Sequence, residues 1–226
     1  MSQSPPAPSP STSPALPHKV VAIDGPAASG KSTVARLVAR RLGFVYVNTG
    51  AMYRAVTWLA LRHGIDPADS AAVGALLESA PMEFAVAGNE STILMDGIDP
   101  APFLNDPDVA ANVAAIAAIP KVREVLVARQ REFARNCDLV MEGRDIGSVV
   151  FPETPHKAYI DASEEVRAQR RAAQGFHDNL AARDKTDSSR ATAPLRIAEG
   201  AEVIDSTCLT IEGVVEEVIR RLGLQS

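Results

Sequence analysis

The chain has 226 residues, 46% of them hydrophobic and 23% charged, with a formal net charge of −5. That length can bury one full core, and the acidic balance argues against a general nucleic-acid binder. No apolar run approaches the roughly 20 residues that span a bilayer, and Cys137 and Cys208 lie far apart, as reduced thiols of a cytoplasmic protein would.

Residues 1–18 are almost only Ser, Pro, Ala and Thr, which predicts a disordered tail. It lacks the basic and apolar regions of a secretory signal and the arginines of a transit peptide. Residues 20–23 form a short apolar run that reads as a buried strand. Residues 25–32 then read Gly25-Pro26-Ala27-Ala28-Ser29-Gly30-Lys31-Ser32, a complete G-x-x-x-x-G-K-[ST] loop. Val34, Leu37, Val38 and Leu42 follow at helical spacing. Strand, glycine loop and helix make a phosphate cradle, because backbone N–H groups and the positive helix end face the ligand. In such a loop Lys31 reaches the outer phosphates of a nucleoside triphosphate and the Ser32 hydroxyl holds Mg²⁺.

Further strands are predicted at 44–47, 139–142, 157–160 and 202–204, most of them followed by helical periodicity. This alternation predicts an α/β, P-loop three-layer fold, with a five-stranded parallel sheet between helices. Residues 64–119 break the rhythm. Segments 82–87 and 91–95 read as short strands around Gly88-Asn89, which predicts an inserted small antiparallel subdomain. A helix then runs from Pro120 with Val122, Val125, Leu126 and Phe133 inward. Ser163 suits a helix N-cap, and Ile211, Val214, Val215, Val218 and Ile219 make one apolar helix face near the C-terminus.

Three polar segments could complete a site. Glu142 ends the strand at 139–142, where an acid of a P-loop protein holds Mg²⁺ through water. Arg144 and Asp145 follow at once: they are either a phosphate clamp with its orienting acid or an ordinary surface pair. Thr49, directly after the second strand, is an anion donor or a plain N-cap, with Arg54 one helical turn further on. The run Arg183-Asp184-Lys185-Thr186-Asp187-Ser188-Ser189-Arg190 is a solvated loop or a closing lid. Arg167, Arg171 and Arg183 are candidates to stabilise a transferring phosphoryl group.

The runs IDGPAASGKST, NTGAMYR, IPKVREVL, EGRDIGSVVFP, RDKTDSSR and VIDST occur in this order, and from about Val20 onward the chain resembles bacterial cytidylate kinases. The resemblance implies ATP-dependent phosphorylation of CMP and dCMP, with Mg²⁺; composition and charge predict a cytoplasmic protein with no nucleic-acid or membrane partner, and nothing in the sequence demands more than a monomer. The resemblance implies that Gly25, Pro26, Ala27, Ala28, Ser29, Gly30, Lys31, Ser32 and Thr33 bind ATP phosphates. It puts Thr49, Arg54 and Arg144 at the CMP phosphate, Arg123 and Asp145 at the cytosine edge, Arg183 and Asp187 at the sugar hydroxyls, and Arg190 elsewhere in the substrate site. Lys31, Arg144 and Arg183 are the implied catalytic residues. The implied organisation is a core of 19–63 and 120–226, a nucleotide-binding insert of 64–119 and a lid of about 171–190. The chain departs from the family at Ala114, where a base-contacting serine is usual, at Asn105, where an arginine is usual, and in a shorter segment between Arg171 and Arg183.

Overall fold

The computed structural model describes residues 17–173, 184, 188 and 194–225. Of the expected site residues, Arg183, Asp187 and Arg190 lie outside the described residues, as do residues 1–16 of the Pro/Ser segment. No helix among the described residues is long and apolar enough to cross a membrane.

Among the described residues seven strands form one sheet in the order β3-β4-β2-β5-β1-β6-β7. Strands β1 (Val20–Asp24), β2 (Val45–Asn48), β5 (Leu139–Gly143), β6 (His156–Asp161) and β7 (Glu202–Asp205) run parallel. These are the five strands expected from the sequence. The sheet is longer than expected because the hairpin β3 (Met82–Ala87) and β4 (Glu90–Met95) joins its β2 edge instead of standing apart. The junction is a single register pair, Tyr46 with Glu90, closed by the Tyr46 N–H donating to the Asn89 carbonyl at 2.7 Å. Arg36 reinforces it, 2.9 Å from Glu90 and stacked over the Tyr46 ring.

β1 and β5 are buried along their whole length, as central strands covered on both faces must be. Their side chains alternate between two cores. Val20, Ala22, Leu139 and Met141 face a core built with α2 (Thr49–Arg62), α3 (Ser70–Ser79), α4 (Pro107–Ala118) and α5 (Pro120–Asn136). Val21, Ile23 and Val140 face a second core with α1 (Lys31–Leu42) and the C-terminal helix α7 (Ile211–Arg221). Val214, Val215 and Val218 carry that helix face, whereas Ile211 is 48% exposed because it opens the first turn. Val122, Leu126 and Phe133 are buried as expected on α5, and Val125 only half so.

Local chemistry sets the helix ends. Asn48, not Thr49, caps α2: its side chain accepts from the Ala51 N–H, and Thr49 is the first helical residue. Pro107 and Pro120 open α4 and α5, where a missing N–H costs nothing. Gly43 closes α1 in the left-handed conformation, its N–H turned back to carbonyls 39 and 40. Ser163 accepts from the Val166 N–H at 3.3 Å and so caps α6 (Glu164–Ala173) as expected.

Candidate active site

The glycine loop joins β1 to α1 at the carboxyl edge of the sheet. Its first residue must be glycine: a Cβ on Gly25 would lie 2.1 Å from the Ile160 carbonyl oxygen, and its φ is +152°. Ala28 and Gly30 also take positive φ, 60° and 89°. Left-handed residues interleaved with ordinary ones curl a loop into a concave nest of N–H groups. The Asp184 carboxylate fits that description. It accepts from the Ala27 N–H at 3.4 Å, so the loop already receives an anionic oxygen at an amide suited to a phosphate. Lys31 is buried, its ammonium donating across the loop to the Pro26 carbonyl at 3.1 Å.

Two arginines of α6 brace this loop from behind. Arg167 is buried, donates to the Ala27 carbonyl at 3.3 Å and pairs with the Asp184 carboxylate. One turn on, Arg170 donates to the Ser29 carbonyl at 3.2 Å and to Ser206, whose hydroxyl also donates to the Ser29 carbonyl at 3.0 Å. Sequence reading named Arg167 for the transferring phosphoryl group, whereas here its guanidinium holds the loop. An arginine-rich amphipathic helix gives no sign of which guanidinium turns inward, so its sequence does not single out Arg170 from its neighbours.

β5 lies beside β1, in register Asp24 with Gly143, so its C-terminal loop abuts the glycine loop. Arg144 donates from Nη1 to the Gly25 carbonyl at 3.0 Å, which places this phosphate-clamp candidate directly against the donor loop. The Arg144-Asp145 surface-pair alternative does not hold, since Asp145 is buried and paired instead with Arg123 of α5, 2.5 Å away. Arg123 also donates to the Tyr53 hydroxyl at 3.3 Å. Gly143 admits the neighbouring wall: a Cβ there would lie 2.7 Å from Thr49 Oγ1. Thr49 donates to the Glu142 carbonyl at 2.8 Å and so ties the start of α2 to the same corner. Arg54 stands one turn further along α2, half-buried, beside Gly50.

Glu142 is buried and accepts from the Tyr46 hydroxyl at 3.3 Å. Burial and the Glu142 charge push the Tyr46 hydroxyl up, so it stays a donor. Ser32 sits half-buried in the first turn of α1. Among the described residues no cluster of three or more His, Cys, Asp or Glu could hold a metal by itself. One hydroxyl and one carboxylate suit Mg²⁺, which takes few protein ligands and completes its shell with phosphates and water.

Asp24 ends the apolar strand β1, much as Glu142 closes the apolar run of β5, and is a site residue that sequence reasoning missed. It is 3% exposed and accepts from the backbone N–H groups of Ile146 and Gly147, both at 2.8 Å. Burial pushes its carboxyl up to about 7, against the pull of those two bonds and of Arg144. Ala114 is half-buried on α4 and offers only a methyl group, and Asn105 is exposed before the same helix.

A family model described as "Cytidylate kinase" matches residues 21–223. The chain is 46% identical over 213 residues to a cytidylate kinase of Desulforamulus reducens, covering 89% of this chain and 96% of that one. It is 43% identical to a cytidylate kinase of Limosilactobacillus reuteri, covering 88% and 92%. It is also 44% identical to a bifunctional pantoate ligase/cytidylate kinase of Synechococcus elongatus, of which it covers 41%.

Proposed function

The chain belongs to the cytidylate kinase family, and we propose from that premise that it transfers the γ-phosphoryl group of ATP to CMP and dCMP, in pyrimidine nucleotide metabolism. The observation that carries this reading is the Arg144 contact with Gly25, which sets an acceptor-phosphate arginine against the donor loop. The acceptor oxygen is already anionic, so no general base is required. An oxygen of the CMP phosphate forms the new bond to the γ-phosphorus as the bond to the β,γ-bridging oxygen breaks, giving CDP and ADP. Catalysis is then positioning and charge neutralisation.

Residues 25–33 bind the ATP phosphates in this reading, with Lys31 on the outer ones. Mg²⁺, held by Ser32 and through water by Glu142, supplies charge neutralisation on the phosphate oxygens. Thr49, Arg54 and Arg144 take the CMP phosphate, while Arg123 and Asp145 face the cytosine edge as a preformed pair. Residues 64–119 form the acceptor wall and about 171–190 the lid, in which Arg183, Asp187 and Arg190 complete the site. The free state of Cys137 and Cys208 suits a reducing, cytoplasmic compartment, and the enzyme acts as a monomer.

The Ala114 methyl leaves one fewer donor for the base, which favours a second acceptor, UMP. A panel of CMP, dCMP, UMP and shikimate, with kcat/KM measured for each, tests both readings. CDP formation outrunning the rest supports the first, UMP at parity supports relaxed base choice, and turnover of shikimate alone overturns the nucleotide reading.

A further inference from the structure

Asp24 occupies an unusual position for a buried carboxylate. Its two oxygens accept separately from two successive backbone N–H groups, Oδ1 from Ile146 and Oδ2 from Gly147, each at 2.8 Å. Those groups open the single π-helical turn Ile146–Val150, where the first N–H groups have no partner within the turn. The next residue, Gly25, accepts from Arg144. Residues 24 and 25 therefore hold residues 144–147 by three bonds, two of them through one side chain.

A capping role alone does not require an acid here. Asparagine or serine caps ordinary turns without a buried charge, and burying a carboxylate is costly even when it is hydrogen-bonded. What a carboxyl of this length provides is two oxygens side by side, each able to accept from one of the two N–H groups. An asparagine would turn its NH₂ group onto one of the two N–H groups. The residue held most directly by this grip is Arg144, which lies between the register partner Gly143 and the two N–H groups.

We propose that Asp24 is a positioning residue for phosphoryl transfer, holding the turn after Arg144 so that the arginine keeps its place between donor loop and acceptor phosphate. The inference rests on the CMP kinase reading given above. A displacement of about 1 Å in a group that aligns reactants costs as much as 10²-fold in rate, so the effect falls on kcat rather than on ATP binding.

The test is Asp24→Asn in the full chain. We expect kcat with CMP to fall about 10- to 100-fold, while the Kd of a non-hydrolysable ATP analogue stays within about twofold, since the donor loop keeps its own bracing. A double-mutant cycle with Arg144→Lys separates positioning from general damage. If Asp24 acts through Arg144, Asp24→Asn costs little further in that background. Should Asp24→Asn prove too unstable, Asp24→Ser, read at a temperature where circular dichroism shows it folded, gives the same split. Unchanged kcat, or an equal loss in both backgrounds, overturns the inference. Absence of CDP formation by the wild-type chain overturns the CMP kinase reading instead.

Discussion

The guanidinium of Arg123 and the carboxylate of Asp145 meet at 2.5 Å in the interior, and the pair joins α5 to the loop that leaves β5. Both side chains are under a tenth exposed, so removing one leaves a buried, uncompensated charge on the other. Arg123→Met should lower stability by about 3–5 kcal/mol, read by urea denaturation. Replacing both, as Arg123→Met with Asp145→Leu, should recover most of that loss while CMP turnover stays absent. Recovery of turnover in the double variant would separate the pair from the base site.

Two glycines of the same conformational class should behave differently. A methyl group on Gly25 meets the Ile160 carbonyl at 2.1 Å, against backbone that cannot yield. Gly25→Ala should abolish ATP-analogue binding or folding outright. Gly43 also has positive φ, yet nothing lies within 4 Å of its missing Cβ. Gly43→Ala should cost only about 1–2 kcal/mol and leave kcat intact. Thermal unfolding and ATP-analogue titration of both variants check the contrast.

Lys31 donates to a loop carbonyl, that of Pro26, and in the proposed reaction it stabilises the charge of the transferring group. Lys31→Ala should reduce kcat by about 10²–10³-fold with little change in melting temperature. Near-normal turnover in this variant would contradict the placement of the donor phosphates.

The carboxyl of Asp24 is held up near 7, against 3.8 for an ordinary aspartate, with burial as the main cause and the Asp145 charge adding to it. Between those two values the native chain binds more protons at this site than the unfolded chain does. The stability contributed by the bound proton is therefore complete below about 3.8 and is lost as pH rises through about 7. Measured by urea denaturation, the wild type should gain stability relative to Asp24→Asn as the pH is lowered from about 7.5 to about 5. A flat difference across that range would show that Asp24 titrates normally.

Much of this arrangement was legible in the chain because its signals are local. The continuous apolar runs at β1 and β5 predict doubly covered strands, and the Gly88-Asn89 turn gives the hairpin with β3 placed to the residue. The attachment of that hairpin to the main sheet was not legible, since one backbone pair between Tyr46 and Glu90 leaves no pattern in either segment. Thr49 and Asn48 are both competent caps, and only the geometry of the first turn separates them. Asp24 could have been found. An acid ending an apolar strand beside a phosphate loop is the same signal that identifies Glu142. The inward turn of Arg170 could not, because its partners Ser29 and Ser206 lie far apart in the chain and meet only in the fold.

The adjacency of β1 and β5 limits how such an enzyme can diversify. Their separation is the spacing of two hydrogen-bonded strands, about 4.8 Å, and no change of loop sequence can widen or narrow it. In the proposed reaction, the spacing between the glycine loop after β1 and Arg144 after β5 is thus inherited from the backbone ladder. On that reading, a new acceptor would be accommodated by changes on α2, α4 and α5, the helices that carry Thr49, Ala114 and Arg123. The reacting geometry and the choice of substrate are written on different structural elements, and selection can act on the second without disturbing the first.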